Sequence, residues 1–219
     1  MKIINLSEGH SLINQYVAEL RDIHVQTDRM RFRRNIERIG ELIAYEMSKE
    51  LTYSPKQVQT PLGVATAHTH DDQLVIATVF RAGLPMHTGF LNMFDHAGNA
   101  FVSAFRSYKD EAHSQVDVHI EYIATPPLNG KTVLLVDPML ATGESMDLAW
   151  KALLTKGTPK RLMMACVIAS QQGVDHLAAQ FPGDDVTLWC GTIDPILDDH
   201  KYIVPGLGDA GDLAFGEKL

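Results

Sequence analysis

Residues 132–145, TVLLVDPMLATGES, place two carboxylates, two hydroxyls and a glycine at the end of an apolar run. These types suit a sugar phosphate. An acid accepts hydrogen bonds from sugar hydroxyls but repels phosphate. Glycine lets a backbone approach a ligand closely, and free amides at a helix start attract phosphate oxygens. TVLLV reads as a buried strand, so Asp137 emerges at its carboxyl end. Ala141 to Ser145 then form the turn into the helical stretch SMDLAWKALLTK. Sugar hydroxyls would go to Asp137 and phosphate to residues 141–145, with Thr142 and Ser145 as added donors. The same turn also fits an ordinary helix start with no ligand. It is no Walker loop, because no Gly-Lys-Ser/Thr appears, and it lacks the G-x-G-x-x-G dinucleotide fingerprint.

Two arginines sit comparably. Arg81 follows TVF and Arg106 follows SAF, each just past an apolar strand. In an open α/β sheet, ligands lie outside the carboxyl ends of the strands, so both would reach the edge that carries Asp137. A planar guanidinium pairs two phosphate oxygens at once. Either arginine alone reads equally well as a surface salt bridge. HTHDD at 68–72 invites a metal reading, since His68 and His70 alternate. The stretch is polar and no third ligand is evident, so a structural or solvent-exposed loop is expected. His113 and His119 are isolated.

The elements that must position these residues follow from the pattern. Ser11 to about His24 reads as a helix capped by Ser11, and Asp28 to Leu51 as a longer one capped by Asp28. A strand-like KQVQT and a TPLG turn come next. LVIATVF is a continuous apolar run, typical of a parallel strand covered on both faces. NAFVSAF, TVLLVD, RLMMACVIA and DVTLWCG repeat the theme, and LPMHTGFLNMFDHA, ESMDLAWKALLTKG and QGVDHLAAQF alternate with them as helices. This predicts an α/β fold with a central, mostly parallel sheet flanked by helices. YKDEAHSQ reads as a mobile polar loop and VDVHIEYIA as an antiparallel or edge strand, together a candidate flap.

Composition sets the outer bounds. The chain has 219 residues, 45% apolar and 21% charged, as expected of one soluble globular domain. A helical part over about 1–52, a core over about 53–195 and a C-terminal segment over about 196–219 are expected within it. No run approaches the roughly 20 apolar residues that span a bilayer. The start, MKIINLSEGHSL, lacks a signal-peptide core, so a cytoplasmic protein is expected. The net charge of −8 argues against a nucleic-acid binder. Arg29, Arg31, Arg33, Arg34 and Arg38 interleave with Phe32, Ile36, Ile39 and Ile43, which reads as the wet face of an amphipathic helix. Cys166 and Cys190 lie in apolar runs and read as buried free thiols.

VLLVDPMLATGES closely resembles the 5-phosphoribosyl-1-diphosphate (PRPP) motif of type I phosphoribosyltransferases. Its PMLATG variant resembles the uracil phosphoribosyltransferase family. FRAGLPM at 80–86 is similar to that family's pyrophosphate loop, and YIVPGLGDAGDLAFG at 202–216 to its uracil-recognition segment. The N-terminal LRD, TD and FR.N, then AYE and TPLG, fit as well, so the resemblance covers nearly the whole chain. It implies the type I fold with N-terminal helices, a mobile flap and a C-terminal base-binding segment. It also implies transfer of ribose 5-phosphate from PRPP to uracil, giving UMP and pyrophosphate. PRPP would be bound by Arg81, Arg106, Asp137, Pro138, Met139, Leu140, Ala141, Thr142, Gly143, Glu144, Ser145 and Asp209. Uracil would meet Ile203, Gly208, Asp209 and Ala210 through main-chain groups. Asp137, Arg106 and Asp209 are the catalytic candidates. Gly83 would let amides face the pyrophosphate. Mg²⁺ would arrive as Mg-PRPP with no dedicated protein ligands, and a homo-oligomer, dimer or tetramer, is implied. A GTP effector, known in parts of the family, has no local motif here.

The chain departs from the family at Glu144, where a small residue is usual, at Pro85, and in SYKDEAHSQ after Arg106. Glu144 is expected to turn outward and leave its amide for the phosphate. Three other readings compete. One is a PRPP-binding regulator such as an RNA-binding attenuator, against which the charge argues. Another is a phosphoribosyltransferase for a different base, against which PGLGDAGD argues. The third is a catalytically altered homologue.

Overall fold

Leu74–Phe80 and Thr132–Val136 are apolar at nearly every position and are buried along nearly their whole length. Only the middle of a two-sided layer accommodates such strands. The computed structural model describes residues 1–108 and 116–218, and side chains outside 104–120.

In chain order the first elements are β1 (Lys2–Asn5), α1 (Leu12–Arg21), α2 (Arg29–Ser48), β2 (Tyr53–Thr60), β3 (Gly63–His70) and β4 (Leu74–Phe80). Then come α3 (Gly83–Met93), β5 (Gly98–Tyr108), β6 (Val116–Ala124), β7 (Thr132–Val136), β8 (Met139–Leu140) and α4 (Glu144–Leu154). The chain ends with β9 (Arg161–Ser170), α5 (Gln171–Gln180), β10 (Thr187–Asp194), β11 (Ile196–Leu197), β12 (Ile203–Val204) and α6 (Ala210–Phe215).

The main sheet runs β1-β10-β9-β7-β4-β5-β6, with β8 also on β9. Every pairing in it is parallel except that of β6 with β5, so VDVHIEYIA is the antiparallel edge strand. Period-two alternation sends Ile76, Leu134, Met163 and Trp189 to one face, against Leu20, Phe32, Ile36 and Phe90 of α1, α2 and α3. Val75, Leu135, Met164 and Cys190 go to the other, against Met146, Leu153 and Leu177 of α4 and α5.

Helix caps fall where the side chains indicate. Ser11 caps α1 in a capping box with Asn14, and the Asp28 carboxylate accepts from the Arg31 amide at the start of α2. The arginines of α2 are tied to the protein itself. Arg31 pairs with Glu19, Arg34 with Glu37, Arg38 lies over the Tyr16 ring, and Arg33 donates to the Ala214 carbonyl. Cys166 and Cys190 are buried, free and side by side in register. Burial, then the neighbouring Cys190, pushes the Cys166 thiol well above its ordinary value, so no reactive thiolate forms.

Two expectations are corrected. HTHDD is loop only at Asp71 and Asp72: β3 runs through His68 to His70 and pairs antiparallel with β2, and the His70 ring sits edge-on to Tyr53 and Phe94. Within the expected helical part, Lys2–Asn5 forms an edge strand on β10. The C-terminal segment carries a short helix, α6. YKDEAHSQ falls mostly on 109–115, outside the described residues.

His87 on α3 is 6% exposed; its Nε2 lies 2.7 Å from Asn99 Oδ1, and its Nδ1 has no partner. Burial lowers its pKa below the ordinary 6.5, and the Asn99 bond opposes this less strongly. The unfolded chain therefore takes up this proton first as pH falls. The His87 contribution is fully present above about pH 6.5 and is lost as pH drops toward the lower folded value. His87→Leu should flatten the fall in urea-unfolding free energy between about pH 7 and 5 relative to the native chain. Parallel slopes for the two proteins would exclude His87 as a contributor.

Candidate active site

β4 and β7 are parallel neighbours in register Thr78↔Val136, and β5 runs parallel to β4 up to Phe80↔Ser103. Their carboxyl ends share one edge. Asp137 follows β7 there and Arg81 follows β4. Arg106 lies three residues past Ser103 in β5, its backbone opposite Val118; its side chain is outside the described ones. The Phe80–Arg81 peptide is cis. A Cβ on Gly83 would fall 2.1 Å from Thr78 Oγ1, so Gly83 has a packing reason to be glycine.

The 137–145 loop is stitched to its neighbours on one side. The Asp137 amide donates to the Ala165 carbonyl, and the Pro138 carbonyl accepts from Val167 and Ile168. Met139–Leu140 then pair with Ile168 and Ala169 as β8. Leu140 and Ala141 point into the two core clusters, so only their backbones are free for a ligand. The Ser170 hydroxyl donates to the Ala141 carbonyl at 2.6 Å and accepts from the Gly173 amide at 2.9 Å. One side chain thus caps α5 and pins the loop.

The other side of the loop is left open. Gly143 caps α4 with φ 85°, a left-handed conformation, and no side chain satisfies the first-turn amides. A Cβ there would also lie 2.9 Å from His176 Cδ2. Thr142 Oγ1 is buried without a partner. A recess lined by residues 139–146 contains Thr142, Gly143 and Ser145, while Glu144 is exposed. Uncapped amides, an unpaired hydroxyl and the positive end of a helix dipole make an anion cradle. Asp137, whose Oδ1 accepts from the Met139 amide at 3.3 Å, precedes this recess at the end of β7.

The C-terminal segment closes toward the same edge. β12 pairs antiparallel with β11, the Val204–Pro205 peptide is cis, and Ile203 and Ala210 are buried. Gly208 has φ 92°, and the Asp209 carboxylate caps α6 by accepting from the Asp212 amide. Lys218 lies 3.8 Å from Asp209. Arg81 Nη2 donates to Asp212 Oδ1 at 2.7 Å, and Arg81 Nη1 to the Gly216 carbonyl at 3.3 Å. Arg81 is therefore tied to α6 and Gly216, and it follows β4 on the sheet edge where Asp137 follows β7. Sequence reasoning overlooked Ser170 and Asp212. Ser170-x-x-Gly173 after an apolar strand is an N-cap signature that was there to be read. Asp212 is the second acid of GDAGD, and only its partner Arg81 gives it a role. Among the described residues, no three His, Cys, Asp or Glu side chains cluster as a metal would require.

The fold is that of type I phosphoribosyltransferases. A hypoxanthine phosphoribosyltransferase of Staphylococcus aureus superposes with TM-score 0.51 at 12% identity, over 86% of this chain and 83% of that one, a likeness of fold alone. A protein of Aquifex aeolicus superposes with TM-score 0.86 at 29% identity over 98% of each chain. The chain belongs to the uracil phosphoribosyltransferase family, whose model matches residues 7–217. A uracil phosphoribosyltransferase of Porphyromonas gingivalis is 57% identical over 219 residues, all of both chains.

Ser170→Ala removes a hydroxyl that serves two buried backbone groups, and should cost about 1–2 kcal/mol. Urea denaturation measures it. A loss near zero would mean the loop is held without Ser170.

Proposed function

We propose that this chain transfers ribose 5-phosphate from PRPP to uracil, giving UMP and pyrophosphate. The observation that carries the reading is the open anion cradle at 141–145, with its unpaired Thr142 hydroxyl, beside Asp137 on the edge shared with Arg81. In this reading the bond from the anomeric carbon to the diphosphate breaks and a bond from that carbon to a ring nitrogen of uracil forms. The nitrogen's proton leaves, and pyrophosphate departs. Amides of 141–145 with Thr142 and Ser145 hold the 5-phosphate, and Asp137 takes the ribose hydroxyls. Asp137 also faces the positive charge that grows on the sugar in the transition state. Arg81 and Arg106 grip the diphosphate. Main-chain groups of Ile203, Gly208 and Ala210 read uracil, and Asp209 lies toward the ribose and diphosphate. Arg81 already holds Asp212, so binding the diphosphate means exchanging or sharing that partner.

Mg²⁺ belongs to the same proposal as part of the PRPP complex, because a hard cation suits diphosphate and ribose oxygens. When bound, it would supply charge neutralisation to the leaving diphosphate. Asp137 and Asp209 are the carboxylates of the site able to face it.

A homo-oligomer, dimer or tetramer, is proposed as well. The β2–β3 hairpin stands apart from the main sheet and exposes Leu62 and Val64 at 100% and 66%. Light scattering reads the assembly. A GTP effector and a cytoplasmic location complete the proposal. No helix among the described residues is long and apolar enough to cross a membrane. The regulator reading finds little support in the α2 arginines, since Arg31, Arg33, Arg34 and Arg38 are taken up by intramolecular contacts.

UMP formation should be followed with uracil, cytosine, hypoxanthine and orotate, each with PRPP and Mg²⁺. Product with uracil alone is expected; product with a different base would refute the assignment of 203–210. Asp137→Asn should lower kcat about a hundredfold with the melting temperature unchanged. Full turnover in that variant would remove Asp137 from the ribose role. Gly143→Val forces a branched side chain into φ 85° and against His176, and should weaken PRPP binding at least about tenfold by calorimetry. Normal affinity would break the cradle argument.

A further inference from the structure

A site that reads a base through main-chain groups needs a main chain that does not shift. The 203–210 segment has little frame of its own, since β12 contributes only two paired residues. Its frame comes from the other end of the chain. Arg21, the last residue of α1, forms a two-toothed pair with Asp194 at the end of β10: Nη2 to Oδ1 at 2.6 Å and Nη1 to Oδ2 at 2.8 Å. Arg21 Nη1 also donates to the Gly206 carbonyl at 3.0 Å, while Asp194 Oδ2 accepts from the Gly206 amide at 2.8 Å. One ion pair thus binds both polar groups of a single residue in the base segment. Asp194 is 4% exposed, so these bonds are shielded from water.

Gly206 suits this role and no other residue type does. Its φ is 61°, and a Cβ there would fall 1.9 Å from the Ile203 carbonyl oxygen. Gln26 continues the clamp, donating to the Leu20 carbonyl at 2.7 Å and the Leu207 carbonyl at 3.1 Å. Arg33 holds the Ala214 carbonyl at 2.6 Å. Residues 206, 207 and 214 are all anchored to the N-terminal helices or the loop between them.

We propose that Arg21 and Asp194 are positioning residues that set base specificity, acting through Gly206 on the main-chain groups of 203–210. The proposal rests on the reading of that segment as the uracil pocket. Neither residue touches the base. The pair holds the pocket's donors and acceptors in place, and their alignment distinguishes a uracil carbonyl from the amino group of cytosine. A guanidinium is required because its fork spans two carboxylate oxygens while reaching a carbonyl.

The test uses Arg21→Lys, Asp194→Asn and Gln26→Leu in the full chain, with steady-state KM for each substrate and kcat/KM for uracil against cytosine. Arg21→Lys keeps the charge but loses the fork; Asp194→Asn keeps an acceptor for Gly206 but loses the charge. For both, KM for uracil should rise about tenfold while KM for PRPP stays within about twofold, and the preference for uracil over cytosine should fall. Gln26→Leu, a milder change that spares the ion pair, should move the same constants in the same direction, and it keeps the proposal testable if an ion-pair variant does not fold. A unchanged uracil KM in folded variants would overturn the proposal. Equal rises in both KM values would also overturn it, because they would mark a merely structural role. A native chain that forms no UMP would instead remove the uracil pocket itself, and the proposal with it.

Discussion

A carboxylate at the end of a strand covered on both faces has one direction in which to go. Asp137 ends β7, which lies between β4 and β9 with every residue buried. A charge anywhere earlier in that strand would sit unpaired in the core at large cost. At the carboxyl end it meets solvent and ligand. The residues after it are bound to β9 and α5 through Pro138, Met139, Leu140 and Ala141. That one-sided binding leaves the amides of the α4 start facing outward, unpaired within the protein. The anion cradle follows from how the sheet edge is satisfied, more than from any single ligand-binding side chain.

The 203–210 segment, proposed to read the base, follows the opposite strategy. It has few side chains to form a pocket, so in that reading selectivity comes from amides and carbonyls in fixed positions. Such groups are flexible unless their neighbours restrain them, and here the restraints are charged. Arg21–Asp194 holds Gly206 from one side, and Arg81–Asp212 ties α6 to the loop after β4. The second tie is half-exposed, with Arg81 and Asp212 side chains at 40% and 29%, so its strength is limited by solvent screening. The first is more buried, with the Arg21 and Asp194 side chains at 23% and 6%. In the proposed reading, a firmer anchor near the base and a yielding one near the diphosphate suit a site that keeps its base geometry while an incoming polyanion competes for Arg81.

The main sheet was largely legible because its strands are apolar on both faces and separated by helices with readable caps. LVIATVF and TVLLV announce themselves, as do Ser11 and Asp28 as caps. Local signals failed where structure depends on distant partners. Lys2–Asn5 is four residues long and forms a strand only because β10 offers an edge. GVATAHTH is polar and exposed, and it is a strand through its pairing with β2. The six-residue α6 contains a glycine and is held by Arg33 and Arg81 from afar. The proposed phosphate loop can be put forward from sequence because its residue types occur together within one stretch. The frame of the base segment was not legible: Arg21 and Asp194 are 173 residues apart, and no pattern connects them.

The overall charge sharpens the account of binding. With 27 acidic and 19 basic residues, the chain has a net charge of −8, so its overall charge does not favour a substrate as anionic as PRPP. Several of its arginines are consumed in ties among its own elements, as Arg21, Arg31, Arg33 and Arg34 are. In the proposed reading, affinity arises at short range, from oriented amides, the Thr142 hydroxyl and the arginines at the sheet edge. Short-range donors are directional, and a diffuse positive field is not. A site of that kind would select by the placement of phosphates on the sugar, because a ligand would have to match the proposed cradle, Asp137 and Arg81 together.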